Sequence, residues 1–187
     1  MSTCEMSDLG LLHYFFGIEV SQMKDGIFIY QRKYTENVLK KFNILGCKSM
    51  DAPLIVNEKL KKDKDGAKKA NVATCRSLTG SLLYLITTRP DIMFAARLLS
   101  RYMQDPSLIH FGAAKRVLRY LRGTIDYGIT FKTVENSRLI GYYDSDWTGC
   151  LDDMKSTSGY VFSLGSGVYL WASKKQKAVA QSTAEAE

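Results

Sequence analysis

Lys115-Arg116-Val117-Leu118-Arg119-Tyr120-Leu121-Arg122-Gly123 and, after a short gap, Tyr127-Gly128-Ile129-Thr130-Phe131-Lys132 are the stretch on which the fold class turns. Up to Gly123 the apolar residues Phe111, Ala114, Leu118 and Leu121 recur on one face of a helix over 107–122. Asp105-Pro106 offers that helix an N-cap and a first-turn proline, and Gly123 a stop. Beyond Gly123 the period becomes alternating, which reads as strands and places a domain boundary there. Upstream, Leu78, Leu82 and Leu85 mark a helix over 76–87, and Ile92, Ala95, Ala96, Leu99 and Met103 one over 90–103. Short connections predict antiparallel neighbours in a small bundle. Downstream, the runs 127–132, 139–145, 156–164 and 168–172 read as consecutive strands of one antiparallel meander, the last pair linked through Gly165-Ser166-Gly167.

The N-terminal part adds β-rich runs at 11–21 and 27–31, joined around Asp25-Gly26, whose residue pair suits a hairpin turn. Tyr34, Val38 and Phe42 then share a helical face over 33–42. Lysines and aspartates crowd 58–69 and leave no apolar face, so this reads as a solvated linker. The fold class is therefore α+β: a hairpin, a helical segment and a sheet.

The net charge of +7 favours an anionic partner, nucleic acid or an acidic surface, over a neutral metabolite. No apolar run reaches the ~20 residues that span a bilayer, and the N-terminus lacks the pattern of a secretory signal. The expectation is an intracellular protein, cytoplasmic or nuclear and not secreted, without membrane contact. Cys4, Cys47, Cys75 and Cys150 are scattered and form no C-x-x-C pair, which argues for reduced thiols and against zinc.

Some residues carry possible chemistry. Asp144 and Asp146 occupy alternate positions of a strand and so project to one face. Clustered carboxylates are hard oxygen ligands that suit Mg²⁺, and a two-metal site needs several of them. By themselves these two read rather as a strand ending in water. Ser182-Thr183-Ala184-Glu185 fits a capping box, so Glu185 is consumed at the helix start, whereas Glu187 lies on another face and is the better ligand candidate. Lys115, Arg119 and Arg122 form a basic helical stripe with Arg116 beside it, suited to tracking phosphates or simply to facing solvent.

Three signatures resemble one family in its own order. Asp8-Leu9-Gly10-Leu11-Leu12-His13-Tyr14-Phe15-Phe16-Gly17-Ile18-Glu19-Val20 is similar to the primer-grip segment of Ty1/copia-type reverse transcriptases. Gly80-Ser81-Leu82-Leu83-Tyr84-Leu85, Thr88-Arg89-Pro90-Asp91-Ile92 and 115–124 resemble the region between polymerase and ribonuclease H. Asp144-Ser145-Asp146-Trp147, Lys155-Ser156-Thr157-Ser158-Gly159-Tyr160 and Ser182-Thr183-Ala184-Glu185-Ala186-Glu187 resemble its ribonuclease H half.

The resemblance implies a primer-grip hairpin and following helix in 1–57, a charged linker in 58–71, a thumb or connection segment in 72–124, and the N-terminal part of a ribonuclease H-like sheet, incomplete, in 125–187. It implies Asp144 and Glu187 as catalytic, metal-binding acids of the parent enzyme, with Mg²⁺ as cofactor. It implies nucleic-acid contacts at Phe15, Phe16 and Gly17, besides the basic stripe. The family's Val-Asp-Asp polymerase signature would lie upstream of Met1, and the later nuclease acids lie past the last residue. The expectation is thus a fragment of an RNA-directed DNA polymerase and ribonuclease H that is inactive as this chain and holds no metal tightly. Its partners are RNA:DNA hybrid, weakly and without sequence preference, and the remainder of the Pol polyprotein. The alternative is a non-catalytic module retained by a host to bind nucleic acid or a retroelement protein. Arg116-Val117-Leu118-Arg119 and Arg119-Tyr120-Leu121-Arg122 also match the Arg-x-Leu-Arg pattern of secreted oomycete effectors, but helical amphipathicity explains that spacing.

Overall fold

The computed structural model describes residues 10–55, 59–62 and 68–187. Parts of the expected linker, and Cys4, Asp8 and Leu9, lie outside them. The chain is mixed α and β with two antiparallel sheets, in keeping with the α+β class. One sheet has the order β1 (Tyr14–Phe15), β2 (Ile18–Met23), β3 (Gly26–Tyr30), β4 (Gly128–Lys132). Between β3 and β4 the chain forms α1 (Arg32–Lys41), α2 (Val72–Leu85), a 3₁₀ turn (Pro90–Ile92), α3 (Met93–Ser100) and α4 (Leu108–Gly123). The other sheet runs β5 (Leu139–Asp146), β6 (Thr157–Leu164), β7 (Val168–Lys175), and a short α5 (Thr183–Ala186) follows.

The expected four-strand meander is corrected by this topology. β4 joins not β5 but β3, with Ile29 opposite Ile129 and Tyr30 opposite Gly128. An exposed strand edge leaves its N–H and C=O groups unpaired, and β4 returns across the whole helical segment to satisfy that of β3. Gly128 permits the approach, because a Cβ there would collide with the Ile29 carbonyl and the Tyr30 and Phe28 side chains. Alternation identifies a strand without naming its neighbour. The run 11–21 is likewise divided by a tight turn at Phe16 and Gly17, both at positive φ, which suits a two-residue hairpin. The β2–β3 hairpin stands as expected, with Met23 opposite Gly26.

The core lies among α1 to α4, where Leu39, Leu78, Leu82, Ile92, Leu99 and Leu118 are fully buried. Each such side chain contributes about 1.5–3 kcal/mol relative to exposure. α2 begins earlier than the apolar stripe indicates, capped by Asn71, whose side chain accepts from Thr74 N at 2.8 Å; its first three residues are exposed, and Cys75 is the first buried one. The N-cap of α4 is Ser107 rather than Asp105. The Ser107 backbone N donates to His110 Nδ1 at 3.0 Å, and the buried imidazole stacks on Tyr102.

The described residues at either end of the charged stretch, 59–62 and 68–69, are held against the helices. Leu60 is buried in the helical core and its carbonyl accepts from the Tyr102 hydroxyl at 2.7 Å. Leu108 N donates to the Lys68 carbonyl and Ala70 N to that of Pro106. Burial and the nearby Asp152 and Cys150 push the Tyr102 hydroxyl up to about 12.

Arg89, only 3% exposed in its side chain, ties the 3₁₀ turn to the end of α4. Its guanidinium donates to Asp91 at 2.7 Å and to the carbonyl and hydroxyl of Thr124 at 2.8 and 2.6 Å. The Tyr120 and Tyr127 rings lie against it. Burial raises the Asp91 carboxyl, but Arg89 and the Tyr120 hydroxyl outweigh that and hold it below the ordinary carboxylate value.

Candidate functional site

β5, β6 and β7 present two unlike faces. Asp144 is opposite Gly159, Asp146 opposite Thr157, and Val161 is flanked by Tyr142 and Trp171. By strand alternation these share a face. That face is turned to α3: Trp171 Nε1 donates to the Ile86 carbonyl at 3.1 Å, and Arg101 Nη2 to Thr157 Oγ1 at 3.1 Å. Between them lies a groove of about 410 Å³, lined by Pro90, Met93, Phe94, Tyr142, Asp144 and Trp171 among others. Asp144 is exposed and accepts from the N–H of its neighbour Ser145 at 2.9 Å. Asp146 accepts from Thr157 N across the strand pair and so serves the loop that follows β5.

α5 docks on the opposite face. Gln176 Nε2 donates to Ser145 Oγ, Ser158 Oγ and the Ala186 carbonyl, at 3.3, 2.9 and 2.6 Å, which pins the helix to β5 and β6. Ser182 is the N-cap, its hydroxyl accepting from Glu185 N at 3.2 Å. The Glu185 carboxylate accepts from Gln181 N at 2.7 Å, one residue before the capping-box position, so Glu185 is occupied by the helix start. Glu187 is exposed at the end of α5. Asp144 and Asp146 thus come together on one face, and the helix leading to Glu187 lies against the other. Among the described residues no group of three or more His, Cys, Asp or Glu side chains is placed to hold a metal ion. Asp144 and Asp146 supply oxygen donors of the right chemistry for Mg²⁺, but the residues present do not fit a two-metal centre.

The basic stripe of α4 is drawn partly into the fold. Arg119 Nε donates to the Lys48 carbonyl and Arg122 Nε to that of Leu45, both at 2.7 Å, clamping the loop after α1. Arg116 Nη1 points to Met50 Sδ, while its buried Nε has no hydrogen-bond partner. Lys115 Nζ lies over the Phe111 ring at 4.5 Å. The sequence displays the spacing of these cations but not the carbonyls that take two of the guanidiniums.

In the hairpin, Phe16 is 80% exposed at the turn and Phe15 meets it edge to face. The Tyr84 hydroxyl of α2 donates to the Phe16 carbonyl, and a Cβ at Gly17 would strike that hydroxyl. The tip is therefore held by its backbone while its rings face outward.

Sequence reasoning missed a charged cluster beside the sheet. Lys175 Nζ, on β7, donates to Asp153 at 2.7 Å and to Cys150 Sγ at 3.0 Å. Burial works against the Lys175 charge, but the bonds to Asp153 and Cys150 outweigh it and hold the ammonium above its ordinary value. Only the pairing register brings position 175 to the loop after β5.

The chain is 44% identical to the retrovirus-related Pol polyprotein from transposon RE2 of Arabidopsis thaliana, over 94% of this chain and 12% of that protein. It is 39% identical, over its full length and 77% of the other, to an uncharacterized mitochondrial protein of the same plant. A protein of Plasmopara viticola named as a secreted RxLR effector is 46% identical over 59% of this chain and 79% of its own length. That similarity covers 112 residues and so does not rest on a four-residue motif. No family model and no solved structure matches the chain. Among the described residues no helix is long and apolar enough to cross a membrane.

Proposed function

This chain belongs to the retrovirus-related Pol polyproteins of Ty1/copia-type transposons, and on that premise we propose that it is the part linking reverse transcriptase to ribonuclease H, with no catalysis of its own. The observation that carries this reading is the order β5–β6–β7 antiparallel sheet, acid on the first strand, then α5 docked on β5. The parent activity is RNA-directed DNA synthesis together with cleavage of RNA in RNA:DNA hybrids. In this reading Asp144 is the sheet acid of the nuclease and Glu187 its helix acid; α5 carries Glu187 on the face of the sheet opposite Asp144, so the two do not by themselves make an Mg²⁺ site. The chain acts inside the cell.

The rest of the Pol polyprotein is the natural partner. On the α5 face of the second sheet, Leu139, Tyr143, Tyr160, Leu164 and Leu170 remain exposed. An apolar surface of this kind marks an interaction site. Phe15 and Phe16 at the hairpin tip are a second one, suited to a primer strand or to the neighbouring polymerase domain.

Hybrid binding is expected to be weak and sequence-indifferent. In fluorescence anisotropy on an RNA:DNA hybrid, log affinity should fall linearly with log salt. Lys115→Gln removes a charge without touching the clamp on Leu45 and Lys48, and should make the slope shallower by ~0.9, the value for one phosphate no longer neutralised. Arg119→Glu with Arg122→Glu should weaken binding on every sequence alike; unchanged affinity in a folded double variant removes the stripe from the nucleic-acid surface. Primer extension with Mg²⁺ or Mn²⁺ should stay at the level of a blank, and template-dependent incorporation would refute the non-catalytic reading.

A further inference from the structure

The geometry points to Cys150 and Lys175 as a peroxide-driven covalent cross-link site, closing a sulfur–nitrogen bond between the loop after β5 and the end of β7. Cys150 is 4% exposed, and its sulfur already accepts the Lys175 ammonium at 3.0 Å. Asp153 accepts from the same Nζ at 2.7 Å, and its carboxylate also meets the Cys150 thiol, so acid, amine and sulfur form one compact cluster. The loop is tied down at both ends, Cys150 N donating to the Lys155 carbonyl and Met154 N to that of Cys150. A cavity of about 400 Å³ lined by Cys150, Lys175, Lys62, Arg101, Tyr102 and Asp152 opens on the sulfur, with room for a small oxidant.

The chemistry balances in two steps. Hydrogen peroxide oxidises the thiol to a sulfenic acid, Cys–SH + H₂O₂ → Cys–SOH + H₂O, the peroxide being reduced. A sulfenic acid condenses with an adjacent nitrogen nucleophile. Here Asp153 first takes a proton from Lys175 Nζ, and the freed amine attacks the sulfenic sulfur. Overall, Cys–SOH + Lys–NH₃⁺ → Cys–S–NH–Lys + H₂O + H⁺: the N–S bond forms and the S–OH bond breaks. The hydroxide leaves as water with a second proton from the nitrogen, and the first proton passes from Asp153 to solvent. No further redox change occurs in the second step. Cys47 and Cys75 have other surroundings: Cys47 donates to the Asn43 carbonyl, and Cys75 is buried in α2.

The test is peroxide treatment of the full chain followed by intact mass and peptide mapping. The expected result is a mass lower by two hydrogens, with Cys150 and Lys175 in one linked peptide that a thiol reductant separates. Lys175→Arg keeps the charge beside Asp153 but offers no comparable amine, so the link should vanish and Cys150 should proceed to sulfinic acid; a thermal melt checks that this variant folds. Sulfinic acid or a disulfide at Cys150 in the unmutated chain, with Lys175 free, overturns the inference. So does a bridge that retains the peroxide oxygen, because direct condensation cannot give it.

Discussion

Asp144→Asn, placed in a Pol polyprotein that carries this segment, is expected to abolish cleavage of the RNA strand of a hybrid. The loss should exceed the ~10–100-fold that follows removal of an outer-shell partner of a metal site. Folding should hardly change, since Asp144 is exposed and its carboxylate accepts from its neighbour's N–H. Glu185→Gln is the control on the other side: its carboxylate accepts from Gln181 N, so its loss should weaken the helix start by about 1 kcal/mol and leave the chemistry in place. Hybrid-cleavage rates and thermal melts on the same variants separate the two effects. Full activity in the Asp144→Asn protein would transfer the role to Asp146, which shares its face.

Arg89→Ala should be the most destabilising single change at a charged position, by about 3 kcal/mol, because it leaves a partly buried carboxylate without its cation. For a chain of this size that is a fall in Tm of roughly 6–12 °C. Asp91 remains 32% exposed and keeps the Tyr120 hydroxyl, which puts the cost at the low end for broken buried pairs. The pH dependence has a defined sign. The folded carboxyl of Asp91 lies below its unfolded value, so the stability it contributes is present above about pH 4 and is lost as pH falls through the folded value. Melts from pH 7 down to pH 2 should show the gap between the parent and Asp91→Asn closing in acid; a constant gap would mean that the pair contributes no charge-dependent stability.

Much of this molecule was legible in its residues because the signals are local. The periodicity of Leu78, Leu82 and Leu85, and of Phe111 to Leu121, depends only on which side of a helix can be buried, and both helices form. The cap Ser182, with Glu185 drawn into the helix start, is likewise a matter of neighbouring atoms. The order of the three family signatures also sufficed to place the chain among the transposon Pol proteins.

What depends on distant pairing had to come from the tertiary structure. The run 127–132 reads as a strand in any environment, but only the open edge of β3 makes it part of the N-terminal sheet. The charge of Arg119 and Arg122 is written in the sequence, yet the Lys48 and Leu45 carbonyls that engage them are brought near by the turn after α1. The same holds for Lys175 against Cys150, and for Asp144 facing α3 while α5 occupies the other side of the sheet. Backbone periodicity is set by steric and burial preferences within a few residues, and those the sequence states directly. Which strand edge, carbonyl or sulfur meets a given side chain is set by the closure of long loops, whose entropic cost only the assembled core offsets.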